Sequence, residues 1–82
     1  MELDIFLKDL KHFLEIETSQ LRINTDLKQL DEWDSLTLLC LIEYIEDNFS
    51  IDSNFLENYE EVLIISDLVK EINVSSKKKI QF

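Results

Sequence analysis

Leu3, Phe6, Leu7, Leu10, Phe13 and Leu14 recur every three or four residues, with Asp4, Lys8, Asp9, Lys11 and Glu15 on the faces between them. That period belongs to an amphipathic helix, here of about four turns. From Glu17 to Trp33 the periodicity dissolves. Thr18-Ser19 and Asn24-Thr25-Asp26 are turn-forming, and Leu21, Ile23, Leu27 and Leu30 stand as isolated apolar anchors. Structureless loops of this length are uncommon in compact domains and usually functional, and the leucines predict one that is tied down, with a short helical turn near Asp26 to Leu30.

A second helix is predicted from Ser35 to Asn48, with apolar residues at 36, 38, 39, 40, 41, 42, 44 and 45. This is far wider than one stripe, so the helix is either central to the fold or shares a face with a partner or an apolar cargo. Asn48 to Ser53 breaks the pattern, with Phe49 and Ile51 as plugs, and Asn54 to Tyr59 predicts one short helix. The run Val62-Leu63-Ile64-Ile65 suits a strand or a buried turn equally. Ser66-Asp67 then starts a last helix carrying Leu68, Val69 and Ile72. The predicted architecture is all-α: a small four-helix bundle of three longer helices and one short one, with a long loop between the first two. Residues 1–73 form the domain, and residues 74–82 form a short, frayed basic tail.

Composition narrows the function. A chain of 82 residues is one domain with a thin core. Such domains carry, bind or present something more often than they catalyse. With no Gly and no Pro, turns fall to Asn, Asp and Ser, and phosphate-cradling glycine loops are excluded. The one cysteine, Cys40, excludes an intramolecular disulfide and fits a reducing compartment. Met1-Glu2-Leu3-Asp4 is acidic and no apolar run approaches a membrane span, so neither a leader nor membrane insertion is expected, and the predicted location is cytoplasmic. The formal charge is −10, and no Lys or Arg occurs between Lys28 and Lys70. A surface of that sign repels nucleic acid and anionic membrane and steers toward basic protein surfaces.

The sharpest chemical feature is Glu32-Trp33-Asp34-Ser35-Leu36, a serine at the start of the apolar helix. Unpaired backbone N–H groups and the positive end of the helix dipole meet there, so an anion attached to the serine oxygen would be stabilised. The plainer alternative is that Asp34 or Ser35 is simply the N-cap. Other motifs fail. Asp52-x-Asn54 lacks the glycine and the closing glutamate of a calcium loop, His12 has no partner at metal-ligand spacing, and no nucleophile-elbow pattern surrounds Ser35.

Taken together, these residues resemble an acyl carrier protein or the closely similar peptidyl carrier domain, over nearly the whole chain from Leu3 to Ile72. Asp34-Ser35-Leu36 is similar to the family's attachment motif, and Ile23-Asn24-Thr25-Asp26-Leu27 with Leu30 resembles its anchored loop. Glu46 to Ile51 resembles the end of its recognition helix and the Phe–Ile plug, and Ile64 to Leu68 the start of its last helix. Departures exist. A glycine usually follows the plug phenylalanine, and here the residue is Ser50; Cys40 stands where many carriers place an acid and Glu43 where they place an apolar residue; and Glu60 to Ile65 is slightly long.

The resemblance implies a non-catalytic carrier in which Ser35 bears 4′-phosphopantetheine, added from coenzyme A by a phosphopantetheinyl transferase. The arm would hold an acyl or aminoacyl group as a thioester for a loading ligase and for downstream synthase or transferase enzymes. Asp34, Glu43, Glu46 and Asp47 would meet basic docking patches, and Leu36 would add an apolar contact. It also implies a monomer, with self-association through the broad apolar helix left open. The rival from another class is an acidic helical interaction module with no prosthetic group; a small hydrolase using Ser35 is a remoter third.

Overall fold

The spacing of apolar residues produces three α-helices in the computed structural model, which describes residues 1–17 and 20–81. They are α1 (Leu3–Phe13), α2 (Ser35–Phe49) and α3 (Ile65–Ser75). Two 3₁₀ segments, Leu27–Gln29 and Asn54–Asn58, lie between them, and no strand forms among the described residues. The short fourth helix expected over Asn54 to Tyr59 is not confirmed as an α-helix; a 3₁₀ segment stands there. Asn54–Asn58 is closed by three-residue hydrogen bonds, Leu56 N–H to Ser53 C=O (3.0 Å) and Tyr59 N–H to Leu56 C=O (3.1 Å). Five residues are too few to propagate an α-helix once its first turn has been nucleated. Asp52 Oδ1 accepts the Asn54 N–H (2.8 Å), so the Asp-x-Asn motif makes a turn. The turn expected at Thr18-Ser19 lies outside the described residues.

A chain without glycine must end its helices on other residues. At the end of α1, Glu15 takes a left-handed φ of 55°. Its N–H reaches the His12 carbonyl (3.2 Å), while the Ile16 N–H reaches the Lys11 carbonyl (3.0 Å). These two bonds define a Schellman stop, and Ile16 is buried beneath it. At the end of α2, Ser50 takes φ 54° and ψ 40° and returns its N–H to the Glu46 carbonyl. A side chain with Cβ is disfavoured in this region. Ser50→Gly is therefore expected to raise stability by about 0.5–1 kcal/mol after the entropy of a flexible unfolded glycine is subtracted. An unchanged or lower urea midpoint would refute this.

The core answers the question posed by the broad apolar face of α2. Leu41, Tyr44, Ile45 and Phe49 are buried against Phe6 and Leu10 of α1 and Leu68, Val69 and Ile72 of α3. The rings of Phe6, Tyr44 and Phe49 lie with centroids 6.0–6.1 Å apart. Buried Tyr44 donates its hydroxyl to Asp9 Oδ2 (3.1 Å), and burial first, then the Asp9 charge, pushes its pKa above the usual phenol value. Leu38, Cys40 and Ile42 pack at the core margin. Helix α2 is thus central, and only part of its apolar surface remains outside.

The long loop is stitched to the segment before α3. Leu27 N–H donates to the Leu63 carbonyl (2.8 Å), and Asp26 Oδ1 accepts from the N–H groups of Lys28 (3.1 Å) and Leu63 (2.9 Å). The Val62-to-Ile65 run resolves into a single antiparallel bridge, Asp26 to Ile64, followed at once by helix. Lys28 Nζ donates to the carbonyls of Tyr59 and Glu60.

The C-terminal segment, expected as a frayed tail, lies against the body of the protein. Helix α3 continues to Ser75, and the chain then turns back along the start of α1. Ile80 is 2% exposed, and Asn73 grips its backbone by accepting its N–H (2.6 Å) and donating to its carbonyl (2.9 Å). Gln81 N–H donates to the Met1 carbonyl (2.8 Å), and Ser76 Oγ donates to the Phe49 carbonyl (2.8 Å).

Candidate functional site

The first amides of a helix lack intrahelical acceptors, and their partners distinguish the three helices. In α1, Leu3 N–H donates to the Gln81 carbonyl (2.7 Å). In α3, Ile65 and Ser66 donate to the loop carbonyls of Thr25 (2.9 Å) and Ile23 (2.8 Å). Both ends are closed by other backbone. Helix α2 is capped by a side chain alone, and its N-terminus faces outward, with Asp34, Ser35 and Leu36 all exposed.

Asp34, not Ser35, is the cap. Its extended backbone (φ −151°, ψ −174°) lets Oδ1 accept the Thr37 N–H at 2.8 Å, and the Thr37 hydroxyl lies 2.9 Å from the same oxygen. The Thr37 amide first, and then its hydroxyl, hold the Asp34 carboxyl below its ordinary 3.8, with a smaller contribution from the Leu36 amide against the opposing effect of desolvation. A depressed carboxyl stabilises the fold above its unfolded value and loses that contribution as pH falls through the folded value. The stability gap between wild type and Asp34→Asn should therefore be constant down to about pH 3.8 and close below it. A gap that persists in stronger acid, read by urea unfolding, would contradict the ionised cap.

Because Asp34 performs the capping, Ser35 is the first residue inside the helix. Its side chain is exposed, and no described residue hydrogen-bonds its hydroxyl or its backbone N–H. An open amide beside a free hydroxyl, at the positive end of a 15-residue helix, suits an oxygen that carries an anionic substituent. His12 lies exposed on α1 in edge contact with Phe13, and no described residues cluster as metal ligands.

Down the helix from Ser35, Leu36 (65% exposed), Leu39 (56%), Glu43 and Asp47 form one outward face, apolar at the top and acidic below. Leu39 was not singled out by sequence, although its three-residue step from Leu36 was the available signal. Glu46 is also exposed, but its carboxylate accepts the Ser53 hydroxyl (2.8 Å) and so holds the following turn. Trp33 packs against the core margin and Cys40 is half-buried. On another flank of α2, an open cleft of about 290 Å³ is lined by Leu38, Ile42, Leu56, Lys28, Ser53 and Glu57, among others.

No helix among the described residues is long and apolar enough to cross a membrane. No protein-family model, curated protein or solved structure matches the chain.

Proposed function

We propose that this protein is an acyl carrier: a small acidic helical domain that holds an acyl or aminoacyl unit as a thioester on 4′-phosphopantetheine attached to Ser35. The observation that carries this reading is the division of labour at the start of α2, where Asp34 closes the helix and leaves the Ser35 hydroxyl exposed and unengaged. The chemistry of the site fits the group. The Ser35 oxygen would form the phosphodiester link, and the open Ser35 amide and the helix dipole would stabilise its negative charge. When bound, the group supplies a thiol on a flexible tether, which raises the effective concentration of its cargo at each docked enzyme.

The rest of the surface supports the same reading. Leu36 and Leu39 beside the attachment point, with Glu43 and Asp47 further along the helix, form a compact face for an enzyme carrying a basic rim around an apolar contact. Exposed charges of this kind favour brief, salt-sensitive encounters, which suits a shuttle. Leu38, Ile42 and Leu56 give a cleft on another flank of α2 an apolar lining that would suit an acyl chain.

The test is the intact mass of the protein after co-expression with a broad-specificity phosphopantetheinyl transferase. One added phosphopantetheine is expected. An unmodified chain, under conditions that load a control carrier, overturns the proposal. The exposed apolar–acidic face of α2 also fits an interaction module without a prosthetic group. That reading predicts no mass change, and partner binding that survives Ser35→Ala.

A further inference from the structure

Thr37 is an anomaly at the site. It sits in the first turn of α2, between exposed Leu36 and exposed Leu39, yet it is only 7% exposed and is one of two buried polar residues among those described. Its hydroxyl lies 2.9 Å from Asp34 Oδ1 and 3.0 Å from the Glu32 carbonyl. A threonine hydroxyl carries one proton, so the two acceptors share it. The cap does not depend on that proton, because the Thr37 amide already supplies the bond to Asp34 at 2.8 Å. The hydroxyl therefore does something the cap alone does not: it ties the residue two before the cap to the first turn of the helix.

That tie encloses Glu32, Trp33 and Asp34, the three residues that deliver the chain to Ser35. From the other side, Trp33 N–H donates to the Leu30 carbonyl (3.0 Å), anchoring the arc to the loop. Ser35 follows immediately, and neither its hydroxyl nor its backbone N–H is bonded. The clasp sets the path of the chain that enters the helix at this residue.

We propose that Thr37 is a positioning residue for modification at Ser35, its hydroxyl clasping the Glu32 carbonyl to the Asp34 cap and so holding the Ser35 hydroxyl in the geometry that a transferase must meet. The proposal rests on the carrier reading. In that reaction the Ser35 oxygen bonds to the pantetheine-bearing phosphorus of coenzyme A and the pyrophosphate bond breaks. Adenosine 3′,5′-bisphosphate leaves, and the hydroxyl proton passes to the transferase or to water. The reacting oxygen has to lie in line with the leaving group, and a displacement of about 1 Å from such an alignment can cost about 100-fold in rate.

Thr37→Val keeps the shape of the buried side chain and removes the hydroxyl. It is expected to lower the transferase kcat on this protein by about 10- to 100-fold. KM for the carrier should be little changed, since Leu36, Leu39, Glu43 and Asp47 are untouched. Thr37→Ser restores the hydroxyl and should restore the rate. In carbon-detected NMR, the Asp34 carboxyl should titrate higher in Thr37→Val than in wild type and return in Thr37→Ser, because one of the bonds holding it low has been removed and then replaced. Wild-type rates in folded Thr37→Val, alongside normal loading of wild type, overturn this inference and leave the carrier reading standing. Failure of wild type itself to load overturns both. Should Thr37→Val unfold, Thr37→Ser and Thr37→Ala differ only by the hydroxyl, and equal loading rates in that pair overturn the inference.

Discussion

Ser35→Ala is expected to abolish loading while leaving the fold where it was. The two effects separate because Asp34 makes the capping bond to the Thr37 amide and the Ser35 side chain makes none. Alanine is a better helix former than serine inside a helix, and exposed substitutions away from caps and cores move stability by less than about 0.5 kcal/mol. The melting temperature of Ser35→Ala should therefore match wild type within a few degrees, while its mass after co-expression with the transferase stays that of the bare chain. Asp34→Ala should behave differently, losing the cap and lowering the melting temperature. A mass gain retained in Ser35→Ala would move the attachment point elsewhere. A large loss of stability in Ser35→Ala would mean that the serine is structural, contrary to the observed cap.

The second large effect is expected far from this site. Ile80→Ala should destabilise the protein by about 2–4 kcal/mol, the range for truncating a buried branched side chain. For a chain of 82 residues, total stability is on the order of 4–12 kcal/mol, so this is a substantial share of the whole. At domains of this size each kcal/mol moves the melting temperature by about 4–8 °C, and a fall of about 8–32 °C is anticipated. The reason is cooperative. Ile80 fills the core, Asn73 bonds both sides of its backbone, and the adjoining Gln81 accepts the first amide of α1. Removing residues 77–81 should cost at least as much. A urea midpoint unchanged in Ile80→Ala would show that the docked segment adds nothing to the fold.

That docking was invisible in the sequence for a physical reason. Ile80 is a lone apolar residue behind Lys77-Lys78-Lys79, so no period can emerge from it. Its burial depends on Asn73 and on the start of α1, and the latter is more than seventy residues away in the chain. The three helices, by contrast, were legible because each repeats apolar residues at helical spacing for several turns. Their ends were less so. With no glycine to mark a stop, the left-handed positions fell to Glu15 and Ser50, and α3 starts at Ile65 on the loop carbonyls of Thr25 and Ile23, where the sequence placed its start at Ser66-Asp67.

The candidate site divides along the same line. By itself the sequence determined that a serine and an aspartate stand at the head of a very apolar helix in an acidic chain, since residue type, order and local period are properties of neighbours. It could not choose which of the two closes the helix. Only the tertiary structure decided that Asp34 takes the Thr37 amide and that Ser35 stays open, because that choice depends on backbone angles that residue order does not fix. It likewise decided that Leu36 and Leu39 remain outside while Leu41 and Ile45 go in. A helix that is apolar on most sides is sorted by what packs against it, and those neighbours come from both ends of the chain.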